Sequence, residues 1–421
     1  MVLQSSERSD RSPLQGGDLG EGRFANAAGG RKVCREEQDN IDINEKSYNS
    51  DYIMKRVILS GGGTGGHIYP AVAVAEALKR KWKEEVEILF VGAEGKMEME
   101  KIPALGYNIV GLPIAGLQRR LEPKNLLVPF KVVSSVRKAR KVIRDFSADV
   151  VVGFGGYASA PVLWAAQRMG VPTVIQEQNS YAGVTNKLLA RGARRICVAY
   201  DGMERFFPAD KITLTGNPLR GRFAPAKAKS AEALAHYGFT ADLPTVLVVG
   251  GSLGTRTLNE MMKHWLPTLD GTSPVQVIWQ TGKYYEAEMR EFLAAHPTAN
   301  IWQGAFIERM DYAYEVADVV ISRSGACTVS ELCLVGKPTI FVPSPNVAED
   351  HQTKNAMALV EKDAALMVRD VDAVKQGMPT ALNLLEDKER LALLKKNISR
   401  LGIKDAADRV VRQIEKEWSR F

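Results

Sequence analysis

The stretch Val57-Ile58-Leu59-Ser60-Gly61-Gly62-Gly63-Thr64-Gly65-Gly66-His67 decides the fold. Its apolar opening is short, β-branched and without polar alternation, as expected of a parallel strand buried on both faces. It runs directly into glycines, which allow a tight turn and let a ligand approach the backbone. A helix is predicted next, over about residues 69–83, with Ala71, Val74, Ala75 and Leu78 on one face. The pattern returns at Thr245 to Val249, followed by Gly250-Gly251-Ser252-Leu253-Gly254-Thr255-Arg256. Free N–H groups and the helix dipole make such turns favourable for phosphate. One such loop alone also fits a bare strand-to-helix turn. Two of them, each after the first strand of its own unit, point to a cleft between two Rossmann-like domains.

Outward from these loops, further buried strands are predicted at Ile88 to Val91, Val150 to Val152, Thr173 to Ile175 and Ile196 to Val198. A second set follows at Val275 to Trp279, Val319 to Ile321, Thr339 to Val342 and Leu366 to Val368. Helix-period segments separate them, so the fold class is α/β, with two facing Rossmann-like domains and an interdomain cleft. The turn Gly216-Asn217-Pro218 marks the junction, giving an N-terminal domain over residues 54–218 and a C-terminal one over 219–402. Residues 403–421 are expected to form a last amphipathic helix that packs back on the N-terminal domain. Its apolar side carries Ala407, Val410, Val411, Ile414 and Trp418.

Residues 1–53 read differently. They are polar, lack any sustained period and cannot bury enough to offset their ordering entropy, so a disordered extension is expected. No apolar core of a signal peptide occurs there, and the acidic residues argue against a transit peptide. The first strand begins right after Met54-Lys55-Arg56, which points to Met54 as the natural start. This segment carries a net charge of −3, leaving +10 on the remainder of a chain whose total is +7.

Over all 421 residues, 45% apolar and 25% charged composition excludes wholesale disorder and fibrous repeats. No apolar run approaches the 18 or so residues that span a bilayer. Cys34, Cys197, Cys327 and Cys333 form no C-x-x-C pair, a pattern of reduced thiols in a cytoplasmic protein.

Gly61, Gly63 and Gly66 satisfy G-x-G-x-x-G, and Glu94 stands where a ribose-binding acid would follow the second strand. On this motif alone a nicotinamide-dependent oxidoreductase is a rival reading. The P-loop pattern, with its lysine, is absent. The D-x-D at Asp370-Val371-Asp372 reads better as a helix start, with Asp372 as the cap, than as a metal site. His236, His264 and His296 fall in no recognisable pattern.

Taken together, the motifs resemble one family. They run in order as Gly62 to His67, Gly153-Phe154-Gly155-Gly156-Tyr157-Ala158-Ser159, Gln176-Glu177-Gln178-Asn179, Gly216-Asn217-Pro218 and Gly250 to Gly254. Ser322-Arg323-Ser324-Gly325-Ala326-Cys327-Thr328-Val329-Ser330-Glu331 and Asp350-His351-Gln352 complete the set. From about Met54 to the C-terminus the chain resembles the MurG family of peptidoglycan N-acetylglucosaminyltransferases. The resemblance implies a GT-B fold and inverting transfer of N-acetylglucosamine from UDP-GlcNAc to the C4 hydroxyl of lipid I, giving lipid II. It implies no cofactor and no metal, UDP-GlcNAc being a substrate. Other GT-B transferases with a different lipid acceptor, and a non-catalytic membrane scaffold, stand as alternatives.

By the same resemblance, His67 would be the catalytic base, and a neutral imidazole is what that role requires. Donor contacts would fall to Thr64, Gly65, Gly66, Asn179, Arg220, Ser252, Ile307, Ala326, Cys327, Thr328, Val329, Ser330, Glu331 and Gln352. Among these, Glu331 would take the ribose hydroxyls, and main chain near Ile307 would read uracil. The acceptor diphosphate would meet Gly63, Gly65, Gly66, Gly155, Gly156, Tyr157 and Ser159. Cys327 stands where the family usually has another apolar residue, and His351 reads as a polar neighbour.

Between Gln118 and Phe146, nine basic residues face two acidic ones. Leu126, Leu127, Phe130, Lys131, Arg137 and Lys141 give an apolar patch rimmed by cations, suited to an anionic membrane surface. A solvated helix face is the plainer alternative. Nucleic acid is not expected, because no stacking module or helix-turn-helix spacing accompanies the charge. A peripheral position on the cytoplasmic face of the cell membrane, with cell-wall synthesis proteins as partners, completes the expectation. Truncation to Met54 is predicted to leave kcat within about twofold, and a large loss in a transfer assay would show that residues 1–53 take part.

Overall fold

The computed structural model describes residues 54–114, 128–221, 229–251, 253–269, 271 and 273–418. Strands and helices alternate in the order β1 (Lys55–Ser60), α1 (Gly65–Trp82), β2 (Val86–Ala93), α2 (Glu98–Ala104), β3 (Asn108–Leu112), α3 (Val128–Phe146), β4 (Val150–Gly153), α4 (Ser159–Met169), β5 (Thr173–Glu177), α5 (Val184–Leu189), β6 (Arg195–Val198) and β7 (Ile212–Leu214). A second series holds α6 (Ala231–Tyr237), β8 (Thr245–Val249), α7 (Arg256–Trp265), β9 (Gln276–Gln280), α8 (Glu286–Ala295), β10 (Ile301–Gly304), α9 (Met310–Val316), β11 (Val319–Ser322), α10 (Ala326–Val335), β12 (Thr339–Phe341), α11 (His351–Val360) and β13 (Leu366–Met367). Three helices close the chain: α12 (Asp370–Glu386), α13 (Lys388–Arg400) and α14 (Ala406–Trp418).

The strands form two sheets, ordered β3-β2-β1-β4-β5-β6-β7 and β10-β9-β8-β11-β12-β13. Every pairing is parallel. Each sheet has apolar clusters on both faces, which is why the central strands are unbroken apolar runs. Three strands were not in the predicted set: β3, β7 and β10. All three lie at sheet edges or carry Asn, Gly or Gln, so their short runs lack the signature of two-sided burial.

The helix after the first glycine loop begins earlier than its apolar spacing predicts. Thr64 is extended, and its carbonyl accepts from His67 and Ile68, so the glycine pair Gly65-Gly66 already forms the first turn. Asp372 is not the cap of α12. That helix starts at Asp370 after an extended Arg369, and the Asp372 carboxylate sits in the first turn, accepting from Arg369 at 2.6 Å.

Helix α14 lies on α1, adding Val410, Val411, Ile414 and Trp418 to the core of the first sheet. Trp82 and Trp418 meet edge to face at 5.3 Å, and Trp82 Nε1 donates to Glu415. The segment leading to it crosses the junction: a Cβ at Gly216, whose φ is +81°, would come 2.8 Å from that of Ile403. The chain thus leaves the first sheet at Gly216 and returns across the same point. Residues 1–53, and Cys34 with them, lie outside the described residues.

Candidate functional site

In a doubly wound sheet, ligands bind where the strand order reverses, because the connections there leave to opposite faces and open a crevice at the strands' C-terminal ends. In the first sheet the reversal is between β1 and β4. The loops after these strands are the glycine loops at 61–64 and 154–158, bridged by Phe154 N–H to Ser60 O at 2.8 Å. In the second sheet it is between β8 and β11, whose loops are 250–255 and 323–325. Four sequence motifs therefore occupy the two reversal points.

At the first point the two loops close over His67. Gly63, Gly155 and Gly156 have φ of +85°, +89° and +76°, conformations that favour glycine. A Cβ at Gly155 would lie 3.3 Å from His67 Nε2, and one at Gly156 only 2.5 Å from Gly62 O. His67 Nδ1 lies 3.1 Å from Gly62 O and 3.2 Å from Thr64 Oγ1. A carbonyl can only accept, so Nδ1 carries the hydrogen and Nε2 is left as the basic nitrogen. Burial lowers the imidazole pKa most, with His351 adding to it, while Glu177, the Gly62 carbonyl and Glu98 pull it up. The neutral form that a base requires is thus favoured mainly by desolvation. Tyr157 packs its ring edge 3.1 Å from the Cβ position of Gly63. Ser159 is fully buried and donates to Gly156 O, so its hydroxyl holds the loop.

At the second point, Gly250, Gly251, Gly254 and Thr255 line a cavity of about 490 Å³ together with Gly325, Thr328, Ser344 and Gln352. Helices α7 and α10, each ten residues long, start at this cavity and direct their unpaired first-turn N–H groups toward it. Arg256, the first residue of α7, adds a cation on the rim. A neighbouring cavity of about 290 Å³ joins Arg220, Cys327 and Glu331 with Tyr69, Pro218 and Leu219. Cys327 and Glu331 are four apart on α10 and so share a face. Burial pushes the Glu331 carboxyl up to about 7, opposed by the hydrogen bond from the Tyr314 hydroxyl at 3.2 Å. Burial, and then Glu331, push the Cys327 thiol up to about 12.

Comparison with known proteins adds to this geometry. The profile of the glycosyltransferase family 28 N-terminal domain matches residues 57–198, and that of its C-terminal domain matches 245–410. A UDP-N-acetylglucosamine--N-acetylmuramyl-(pentapeptide) pyrophosphoryl-undecaprenol N-acetylglucosamine transferase of Parabacteroides distasonis is 56% identical over 361 residues, 86% of this chain and 98% of that protein. The transferase of the same name from Porphyromonas gingivalis W83 is 53% identical over 360 residues, 85% of this chain and 94% of that one. Among solved structures, Acinetobacter baumannii MurG superposes with a TM-score of 0.70 at 30% identity, covering 86% of this chain and 99% of its own. The chain belongs to the MurG transferases of glycosyltransferase family 28.

A MurG transferase is a UDP-GlcNAc-dependent hexosyltransferase of GT-B fold, so the nicotinamide reading of Gly61, Gly63 and Gly66 falls away. Its acid, Glu94, is tied to Lys138 at 2.8 Å on the protein surface. Among the described residues, no group of three or more His, Cys, Asp or Glu side chains is placed to hold a metal ion, and no helix is long and apolar enough to cross a membrane.

The structure does not bring all the candidate donor residues together. Val329 is buried in the core, and Ser330 donates back to Ala326 O and faces a different cavity, behind the junction. Ile307 is buried as well, so a ligand beside it would meet main chain. Ala326 starts α10 at the larger cavity, while the Gln352 side chain accepts from Ser344 N at 2.9 Å. Ser252, Leu126 and Leu127 lie outside the described residues. Two residues not assigned from sequence frame the cleft. Glu177, buried at the end of β5, accepts from Asn179, Gly183 and Asn186. Asn355 of α11, fully buried, links Ser180 and Asn179 of one domain to Ser324 of the other. Nothing in a run of amides and carboxylates distinguishes these from surface polar residues before the chain is folded.

The Glu331 shift has a definite sign. Its folded value is raised from 4.5 to about 7, so the ligand-free fold loses stability as pH rises through that window, where the unfolded chain gives up its proton first. In the ribose-binding role that the resemblance implies for Glu331, the carboxylate would be ionised to accept two hydroxyls, and donor binding below about pH 7 would expel a proton. The donor KM is predicted to rise as pH falls below about 7, approaching tenfold per unit, and to lose that dependence in Glu331→Gln. A flat donor KM in the wild type between pH 5.5 and 8 would contradict this.

Proposed function

We propose that the chain moves N-acetylglucosamine from UDP-GlcNAc to the C4 hydroxyl of the muramoyl sugar of lipid I, with inversion, to make lipid II. The observation that carries this is the pairing of two reversal points on one cleft: His67 with a free Nε2 at the first, and two helix N-termini with glycine turns at the second. His67 Nε2 takes the proton from the C4 hydroxyl as its oxygen attacks the anomeric carbon. The bond from that carbon to the β-phosphate oxygen breaks on the opposite side, and UDP leaves with the electron pair. Its growing charge meets the N–H groups of the 250–255 turn, the starts of α7 and α10, and Arg256. The imidazolium formed at His67 is stabilised by Glu177, the carboxylate that favours it most, and to a lesser degree by Glu98.

Within this reading Glu331 and Arg220 take the ribose and nucleotide, with uracil against main chain at Ile307. Thr328 and Gln352 face the sugar and diphosphate, and Asn179 approaches the sugar from the other domain. Thr64, Gly65 and Gly66 reach the donor across the cleft and, with Gly63, Gly155, Gly156 and Tyr157, form the lipid-diphosphate side. No metal takes part in this reading. Transfer of labelled sugar to a lipid I analogue is expected to persist in chelator and to fall about 100-fold or more in His67→Ala, the size of a general-base contribution. Retention of full turnover by His67→Ala would remove His67 as the base.

We infer further that the chain binds the cytoplasmic face of the membrane peripherally, where its lipid-linked acceptor lies. Along α3, Lys131, Arg137 and Lys141 are exposed, and Phe130 is 75% exposed beside Val133 at 50%. Trp164 of α4, with Arg168 against its ring, and Leu188 of α5 extend exposed apolar surface on the same side of the sheet. Reversing charge at Lys131, Arg137 and Lys141 should weaken binding to anionic vesicles, by about 1 kcal/mol per cation near the surface. Unchanged vesicle binding would make α3 an ordinary solvated face.

A further inference from the structure

One buried carboxylate has no part in the mechanism so far. Glu98, the first residue of α2, is 1% exposed. Its Oε1 accepts from Ala93 N at 3.1 Å, where β2 ends, and its Oε2 accepts from Gly63 N at 3.2 Å, inside the first glycine loop. Burying such a group is costly unless its oxygens are matched by donors, and here both are. The surroundings are shaped for it. A Cβ at Gly62 would stand 2.2 Å from Glu98 Oε1, and one at Gly92 would stand 2.6 Å from its Cγ. Two neighbouring positions must lack side chains for this carboxylate to lie where it does.

We propose that Glu98 is a positioning residue of the transfer reaction, which fixes the first glycine loop through Gly63 N–H and sets a buried carboxylate behind His67. The proposal rests on the transferase reading above. With Gly63 N–H turned inward onto Glu98, its residue is held at φ +85°, and the first-turn N–H groups at Gly65 and Gly66 are the ones left for a ligand diphosphate. The same loop supplies Gly62 O, the acceptor that fixes the His67 tautomer. A shift of the loop would therefore disturb diphosphate binding and base orientation together.

The charge has its own effect. His67 is faced by Glu177 from β5, His351 from α11 and Glu98 from α2, and Tyr157, itself pushed up by burial and then by Glu98, lies over the same loop. Both carboxylates favour the imidazolium, whereas burial and His351 oppose it. Neutralising Glu98 takes away one of the two acidic supports. The base then becomes weaker, and the acid limb of the rate profile moves to lower pH.

The test uses the full chain, comparing wild type, Glu98→Gln and Glu98→Asp in transfer of labelled N-acetylglucosamine across a pH series. For Glu98→Gln, kcat/KM for the lipid acceptor should fall about tenfold or more, as small misplacements of reacting groups do. Its acid limb should move to lower pH, and its KM for the lipid acceptor should rise more than its KM for UDP-GlcNAc. Glu98→Asp, which keeps the charge with a shorter reach, should restore the acid limb while leaving the acceptor KM raised. If Glu98→Gln does not accumulate as folded protein, the acceptor KM and pH limb of Glu98→Asp decide alone. A lowered melting temperature with both KM values and the pH limb unchanged would make Glu98 a structural residue and overturn the proposal. Absence of transfer by the wild type would overturn the transferase reading, and the proposal with it.

Discussion

The structure depends on one topological constraint. In a parallel sheet whose order reverses, two neighbouring strands send their connections to opposite faces, and no helix covers the gap between their C-terminal ends. Backbone N–H groups at the following helix N-termini are left without partners there. This happens between β1 and β4 and again between β8 and β11. A reaction that joins two diphosphate-bearing substrates needs two such places facing each other. A doubled Rossmann-like chain supplies them from repetition alone, and the glycines keep side chains out of both.

What holds the two sheets in register is modest. Across the cleft, Asn355 reaches Asn179 and Ser180, Lys354 lies 3.3 Å over the Tyr181 ring, and Lys362 and Arg220 pair with Asp201 and Glu76. Exposed ion pairs contribute only about 0–1 kcal/mol each. A buried amide such as Asn355 is worth more, because opening the cleft strands its polar atoms. Helix α11 carries both Asn355 and Gln352, so the element at the larger cavity is also the one that touches the first domain. Helix α14, by contrast, is joined through a core of Val410, Ile414 and Trp418, and it ties the chain's end to the first sheet by apolar burial.

The central strands were legible in the sequence because two-sided burial leaves them almost purely apolar: β1, β4, β5, β8 and β11 announce themselves. The edge strands β3, β7 and β10 did not, since one-sided pairing tolerates Asn108, Gly111, Thr213 and Gln303. His67 and the glycine turns were legible from motif order, and their positive φ values give the physical reason for the glycines. Glu98, Glu177 and Asn355 were not singled out as site residues. Their importance comes from burial against backbone N–H groups that only the folded loops bring to them, and a charged residue next to Met97 looks like any helix start. Val329 and Ser330 adjoin Glu331 in sequence, but the turn of α10 carries their side chains to other surroundings.

The proposed division of labour holds uridine at the second reversal point and the lipid diphosphate at the first. A structure with UDP-GlcNAc and a short-chain lipid I analogue tests it directly. The ribose is expected on Glu331, the UDP diphosphate along the turn after β8, and the acceptor C4 hydroxyl within hydrogen-bond reach of His67 Nε2. Uridine bound instead at the loops after β1 and β4 would contradict it.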